Sequence, residues 1–187
     1  MNWMNTGKAM TLAAIAALAI AGGASAQETQ QAPAAPAVKA ESFQEWELFC
    51  PEPNAAAEVR VCEIRTLMSG EGGKKLGALV VAAITQSGTD RSEIIASALV
   101  PLGVDLTRDP ALRIDEGQPL SLNFVRCLQR GCEAMMPLSA AQQASMQAGR
   151  KAQVAVGVGG GKHAVFEFSL SGFTAALTAM KERTGAK

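Results

Sequence analysis

The sequence contains no tyrosine, a single histidine (His163) and few aromatic residues, which make up 4% of its 187 positions. Aromatic platforms for sugars or single-stranded bases are therefore scarce, and the aromatic side chains are better explained as core. Lysine plus arginine equal aspartate plus glutamate, at 17 each, so the sequence lacks the basic surplus that nucleic-acid binding requires. The same balance disfavours a purely electrostatic attachment to a membrane.

Most catalytic patterns are also missing. A serine–histidine–acid arrangement would need His163, but no G-x-S-x-G motif is present, and a lone histidine beside a glycine turn is more often solvated. The segment 157–163 (GVGGGKH) fails as a phosphate loop, because Val156 occupies the first glycine position and His163 the final serine or threonine position. Neither C-x-x-C nor EF-hand spacing occurs. We therefore predict no enzyme activity, no cofactor and no metal site.

The N-terminus indicates export. Lys8 precedes an apolar run over 9–21, and the small residues at 24–26 fit the rule for signal-peptide cleavage. The run is shorter than the about 20 residues of a spanning helix, so cleavage is favoured over an anchor and no integral membrane span is expected afterwards. We predict a cleaved signal peptide over 1–26 and a flexible Ala/Pro/Gln-rich linker over 27–42. The expected location is the periplasm, the outer membrane or the surface of a Gram-negative cell.

From residue 43 the apolar residues mostly follow a period of two, which is typical of strands. The predicted strands cover 43–50, 59–68, 76–85, 92–100, 113–115, 120–127, 132–137, 151–158 and 164–170. Many short strands between turns favour an all-β, mainly antiparallel sandwich or barrel over a parallel sheet. We expect one domain over 43–183, followed by a tail over 184–187.

Two helices are predicted after the first strands. The first covers 140–148, with Ser139 as N-cap and Gly149 as its stop. The second covers 172–183, with Ser171 as its cap. Its apolar stripe consists of Phe173, Leu177 and Met180. We expect this stripe to pack on the sheet rather than on a membrane, because the polar face carries charge only in the last turn.

The four cysteines form two closely spaced pairs behind the export signal. An oxidising compartment favours disulfides over redox or zinc sites, and tight zinc-binding spacings are missing. Of three connectivities, we predict Cys50–Cys62 and Cys127–Cys132, since the latter two bracket a four-residue turn and the former two end one strand and lie within the next.

Several short segments lie in a characteristic order along the chain. They are Trp46-x₃-Cys50 and Cys62, P-L-G-V at 101–104, I-D-E-G at 114–117, Cys127-x₄-Cys132 with Gly131, and L-S-G-F-T-A-A-L at 170–177. In these the chain, from about Phe43 to Met180, resembles the invasion-associated locus B family of exported alphaproteobacterial proteins. The resemblance implies an immunoglobulin-like β-sandwich at the envelope or cell surface. Founding members are linked to invasion of host red cells, but the family also occurs in bacteria that invade nothing, and it brings no catalytic residues.

Two hypotheses on function follow. The first, which we favour, is a non-enzymatic envelope or surface binding protein whose loops or sheet edge contact an unknown protein or envelope polymer, in host-cell interaction or envelope maintenance. The second is a periplasmic hydrolase that uses acidic loop residues between 105 and 116. The candidate loop residues are Asp105, Arg108, Asp109, Asp115 and Glu116.

Overall fold

A computed structural model describes residues 40–52, 58–89 and 91–186. The predicted signal peptide and positions 27–39 of the predicted linker lie outside these residues. The strands are β1 (Ala40–Phe43), β2 (Trp46–Phe49), β3 (Val59–Ser69), β4 (Lys75–Gln86), β5 (Ser92–Val100), β6 (Ala111–Ile114), β7 (Leu120–Ser121), β8 (Asn123–Leu128), β9 (Gly131–Pro137), β10 (Lys151–Val158) and β11 (Lys162–Ser169), and the helices are α1 (Ala140–Ala148) and α2 (Phe173–Thr184).

The strands form one antiparallel sheet in the order β7-β6-β10-β11-β3-β4-β5-β9-β8, to which β2 adds beside β3 and β1 beside β2. The two ends of this order, β7 and β8, are successive parts of one stretch that only Leu122 interrupts. Since one stretch supplies both ends, the sheet curves round into a nearly closed, barrel-like form. The antiparallel all-β prediction with two helices is confirmed, whereas an immunoglobulin-like sandwich is not confirmed, because the described strands belong to a single sheet.

The longest hairpin joins the predicted strand over 59–68, which follows a period of two, to the almost continuously apolar segment 76–85. Burial alternates along β3, where Cys62, Ile64, Thr66 and Met68 are buried and their neighbours are not. β3 pairs with β4 from Val59 opposite Gln86 to Ser69 opposite Lys75. The alternation places one apolar face of this hairpin in the core, as the predicted strands over 59–68 and 76–85 required.

The core joins the sheet to the C-terminal helix around Trp46. The indole is fully buried and its Nε1 donates a hydrogen bond to the carbonyl oxygen of Ser169 at 3.1 Å. Its ring meets Phe168 and Phe173 edge to face, with centroids 6.2 and 5.0 Å apart. The stripe Phe173, Leu177 and Met180 is buried, so α2 packs on the sheet as predicted. Within the described residues, neither helix is long and apolar enough to cross a membrane.

The cap of α1 is as predicted, but that of α2 is not. Ser139 and Gln142 form a reciprocal capping box at the start of α1. α2 begins instead at Gly172, in the left-handed conformation with φ of 90° and without a side-chain cap. A Cβ there would lie 2.0 Å from the carbonyl oxygen of Phe43, so the approach of the β1–β2 turn requires glycine. The Ser171 hydroxyl donates to Gln44 Oε1 rather than capping the helix.

Several predicted boundaries differ from the observed ones. Residues 40–42, predicted as linker, form β1, because pairing with β2 stabilises a polar segment that has no periodic signal of its own. The strand predicted at 113–115 is β6, and Asp115 lies in the following turn with φ of 45°. α2 includes Thr184, assigned above to the tail, whose hydroxyl donates to the carbonyl oxygen of Met180 at 2.9 Å.

Candidate functional site

The turns between β3 and β4, β8 and β9, and β10 and β11 lie at one end of the sheet, together with the segment that leaves β5. This follows from the antiparallel order, in which neighbouring strands reverse direction. We call this surface, residues 70–76, 101–109, 128–130 and 158–163, the loop rim. It contains three of the five candidate loop residues, which are Asp105, Arg108 and Asp109.

The long loop of the rim is held against the β10–β11 hairpin by its backbone. Val104 forms an isolated antiparallel bridge with Val158, and the amide of Asp105 donates to the carbonyl oxygen of Gly157 at 2.8 Å. The loop therefore adds a short strand-like contact beside β10, and its course over the hairpin is set by main-chain hydrogen bonds.

The Asp105 carboxylate closes the loop on itself. It accepts hydrogen bonds from the Thr107 hydroxyl at 2.6 Å, from the Thr107 amide at 3.0 Å and from Arg108 Nε at 3.1 Å. The Thr107 hydroxyl, then its amide, and then Arg108 hold the pKa of this carboxyl below its usual value of 3.8, since each stabilises the ionised form. Asp105 is therefore an acceptor that shapes the loop, and its charge is already matched by Arg108.

The Arg108 guanidinium lies directly over Gly157. A Cβ at position 157 would be 2.7 Å from Arg108 Nη2, so any other residue there would require the guanidinium to move. Nη2 also donates to the carbonyl oxygen of Lys162 at 3.4 Å, and Nη1 lies 3.5 Å from His163 Nε2. The sequence placed His163 on a loop; it is the exposed second residue of β11, beside Arg108. Arg108 thus joins the loop to both sides of the hairpin.

Asp115 and Glu116 lie at the opposite end of the sheet. The Asp115 carboxylate accepts hydrogen bonds from the amides of Lys151 and Arg150, at 3.1 and 3.2 Å, where α1 leads into β10. The amide of Lys151, then that of Arg150, holds the pKa of Asp115 below its usual value of 3.8. Lys151 and Gly157 are six positions apart along β10, a distance of about 20 Å. The structure therefore does not bring the two groups of candidate loop residues together.

This separation bears on the hydrolase hypothesis, which needs two acids across one cleft. Asp105 and Asp115 are at opposite ends of β10. Asp105 accepts hydrogen bonds from its own loop, and Asp115 accepts them from the connection between α1 and β10. A shallow groove of about 420 Å³ between the β6–β7 turn and α1 includes Asp115 in its lining but not Asp105. Within the described residues, no three His, Cys, Asp or Glu side chains come together to hold a metal ion. Nothing in this geometry favours hydrolysis.

The disulfide pairs are those predicted from the sequence. Cys50 is joined to Cys62 and Cys127 to Cys132, with Cα atoms 4.4 and 4.0 Å apart. Cys127 and Cys132 lie directly opposite each other in the β8–β9 hairpin. The rim turn at this hairpin is therefore cross-linked at its base.

Exposed leucines are the part of the rim that sequence reasoning missed. Leu102, Leu106 and Leu128 are 56%, 54% and 61% exposed. The turn of Leu128 abuts the end of β5, because a Cβ at Gly131, with φ of 145°, would lie 2.3 Å from the carbonyl oxygen of Val100. The P-L-G-V segment at 101–104 is the sequence signal that indicates this surface, because its leucine belongs to no alternating strand pattern and is therefore not expected in the core.

Comparison with known proteins places this arrangement in a family. The sequence model of the Invasion associated locus B (IalB) protein family matches residues 46–181, from β2 to α2. The chain belongs to this family. The resemblance drawn from the short segments is thereby confirmed.

Relatives and a solved structure agree with this assignment. Two proteins named Invasion protein B homolog, from Brucella abortus strain 2308 and biovar 1 strain 9-941, are each 27% identical over 145 residues, covering 77% of this chain and 80% of the relative. The crystal structure of invasion associated protein b from Bartonella henselae matches with a TM-score of 0.60 at 18% identity, over 76% of this chain and 94% of that one. At this identity the likeness supports the fold alone.

Proposed function

We propose that this protein is an exported, non-enzymatic binding protein of the cell envelope or surface, and that the loop rim is its contact surface. The observation that carries the proposal is the attachment of an exposed loop to the β10–β11 hairpin, by the Val104–Val158 bridge, the Asp105 amide and the Arg108 guanidinium over Gly157. A loop ordered before contact loses less conformational entropy on binding, so such ordering favours recognition. Leu102 and Leu106 are then presented to solvent from a fixed support.

Export is supported by the two disulfides and by the N-terminal apolar run with its cleavage motif. The names of the relatives support one setting for this contact, which is the interface with a host cell. Envelope maintenance is the other setting, and the same rim serves either. Accessibility of the protein to protease on intact and on permeabilised cells separates a surface position from a periplasmic one.

The test is complementation of a deletion strain by chains with an altered rim. Gly157→Ala should displace Arg108 and so weaken the attachment of the loop to the hairpin. We expect complementation to fall severalfold, while the protein remains folded and exported. The matched control is Gly159→Ala in the adjacent turn, where an added Cβ would have no neighbour within 4 Å. Faster hydrogen exchange of the Asp105 amide in the first variant alone would verify the displacement. Full complementation by Gly157→Ala with a released loop would overturn the proposal.

A further inference from the structure

Four basic side chains on the rim have no carboxylate partner. They are Lys74, Lys75, Arg130 and Lys162, all exposed, and none takes part in a salt bridge among the described residues. The rim also carries two exposed carboxylates without a salt bridge, Glu71 and Asp109, and the neutral Arg108–Asp105 pair. The rim therefore has an excess of two positive charges (4 − 2), although the whole chain has a formal charge of zero.

Exposed leucines lie next to three of these cations in two adjoining segments. Lys74 and Lys75 precede Leu76, which is 46% exposed, and Arg130 follows the exposed Leu128. Close backbone approaches make the segments contiguous. A Cβ at Gly77 would lie 2.5 Å from the carbonyl oxygen of Leu99, which places the start of β4 beside the end of β5. The start of β4, the end of β5 and the β8–β9 turn therefore lie side by side, and this part of the rim carries both exposed leucines and unpaired cations.

We propose that the loop rim binds the surface of an anionic phospholipid membrane, which deepens the proposed function by naming the partner of that same surface. Lysine and arginine next to a negatively charged leaflet each contribute attraction, and exposed leucines gain free energy by entering the boundary between headgroups and acyl chains. The leucines favour a lipid surface over a soluble acidic polymer, because a polymer in water offers them no apolar medium.

The local charge of the rim, rather than the charge of the whole chain, governs this attachment. Each cation near an anionic leaflet changes the partition coefficient by about fivefold. Attachment is expected to weaken as salt is raised, because screening shortens the range of the attraction. The apolar contribution of Leu102 and Leu128 is expected to persist in salt.

The experiment is co-sedimentation of the chain, without its predicted signal peptide, with phosphatidylcholine vesicles with and without phosphatidylglycerol. The unaltered protein should pellet with the anionic vesicles and remain in solution with the others. Lys74→Ala with Lys75→Ala should lower the partition coefficient about 25-fold. The matched control is Arg60→Ala with Arg91→Ala, which removes two exposed cations from the opposite end of the sheet and should change nothing.

A second pair of variants tests the leucines. Leu102→Ser should lower binding to anionic vesicles, whereas Val59→Ser, at an exposed position at the other end, should not. Equal pelleting with both vesicle types, or equal losses in rim and control variants, would overturn the lipid proposal. Full competition by soluble polyglutamate, with no effect of Leu102→Ser, would assign the rim to acidic polymers instead.

If vesicles are not bound but Gly157→Ala still fails to complement, the lipid inference alone is wrong. If rim variants also complement fully, the contact surface is wrong as well.

Discussion

At the scale of single residues, two carboxylates that the sequence placed in loops have different structural tasks. Asp105 closes a rim loop through Thr107 and Arg108, which are its near neighbours in the sequence. Asp115 joins the end of β6 to the start of β10 through the amides of Arg150 and Lys151, far along the chain. A single sequence does not reveal the partners of Asp115, because they depend on which strands become neighbours.

Asp115 gives a prediction on acid stability. Because the pKa of Asp115 is lowered in the folded protein, its ionised carboxylate stabilises the fold fully above the usual value of 3.8. This stabilisation is lost as the pH falls below that value. Asp115→Asn should therefore have a lower Tm than the unaltered protein at about pH 7, and the difference should shrink towards about pH 2.5. The measurement is thermal unfolding across this range. As a control, Asp109→Asn, at an exposed position without a salt bridge, should leave the Tm at about pH 7 unchanged. A Tm difference between Asp115→Asn and the unaltered protein that is constant with pH would contradict this role of Asp115.

At the scale of elements, strands with regular alternation were predictable and long-range pairings were not. β3 lies where its period of two placed it, β4 and β5 lie in the segments predicted as strands, and α1 has the cap that its sequence predicted. β1 was missed because its side chains are mostly exposed and only its pairing with β2 stabilises it. The stretch predicted as one strand at 120–127 divides at Leu122, which is buried and whose amide donates to the carbonyl oxygen of Pro110 at 2.9 Å.

The β8–β9 hairpin carries a prediction at this scale. β8 ends the strand order and pairs only with β9 among the described strands, so Cys127–Cys132 restrains an element with one neighbour. Replacing both cysteines with alanine should lower the free energy of unfolding by about 2 kcal/mol, and replacing Cys50 and Cys62 by about 3 kcal/mol, because the second loop is longer. Denaturant unfolding under non-reducing conditions measures both. A Cys127/Cys132 variant as stable as the unaltered protein would contradict this role for the bridge.

At the scale of the whole molecule, a nearly closed sheet gathers distant loops at one end. Residues 70–76, 101–109, 128–130 and 158–163 meet there only because the antiparallel order brings their turns together. The composition indicated a neutral protein, and the formal charges of the whole sequence do cancel. The order of the strands nevertheless places unpaired cations and exposed leucines on one surface. The two groups of candidate loop residues, close in sequence, lie at opposite ends for the same reason.

The most direct test of the central claim is site-specific photo-crosslinking in cells that produce the protein. A photo-reactive side chain at Leu102, on the rim, is compared with one at Val59, at the other end of the sheet; both positions are exposed. We expect crosslinks to envelope or surface components from position 102 and none from position 59. Crosslinks from position 59 alone, or equally from both positions, would contradict the assignment of the rim as the contact surface.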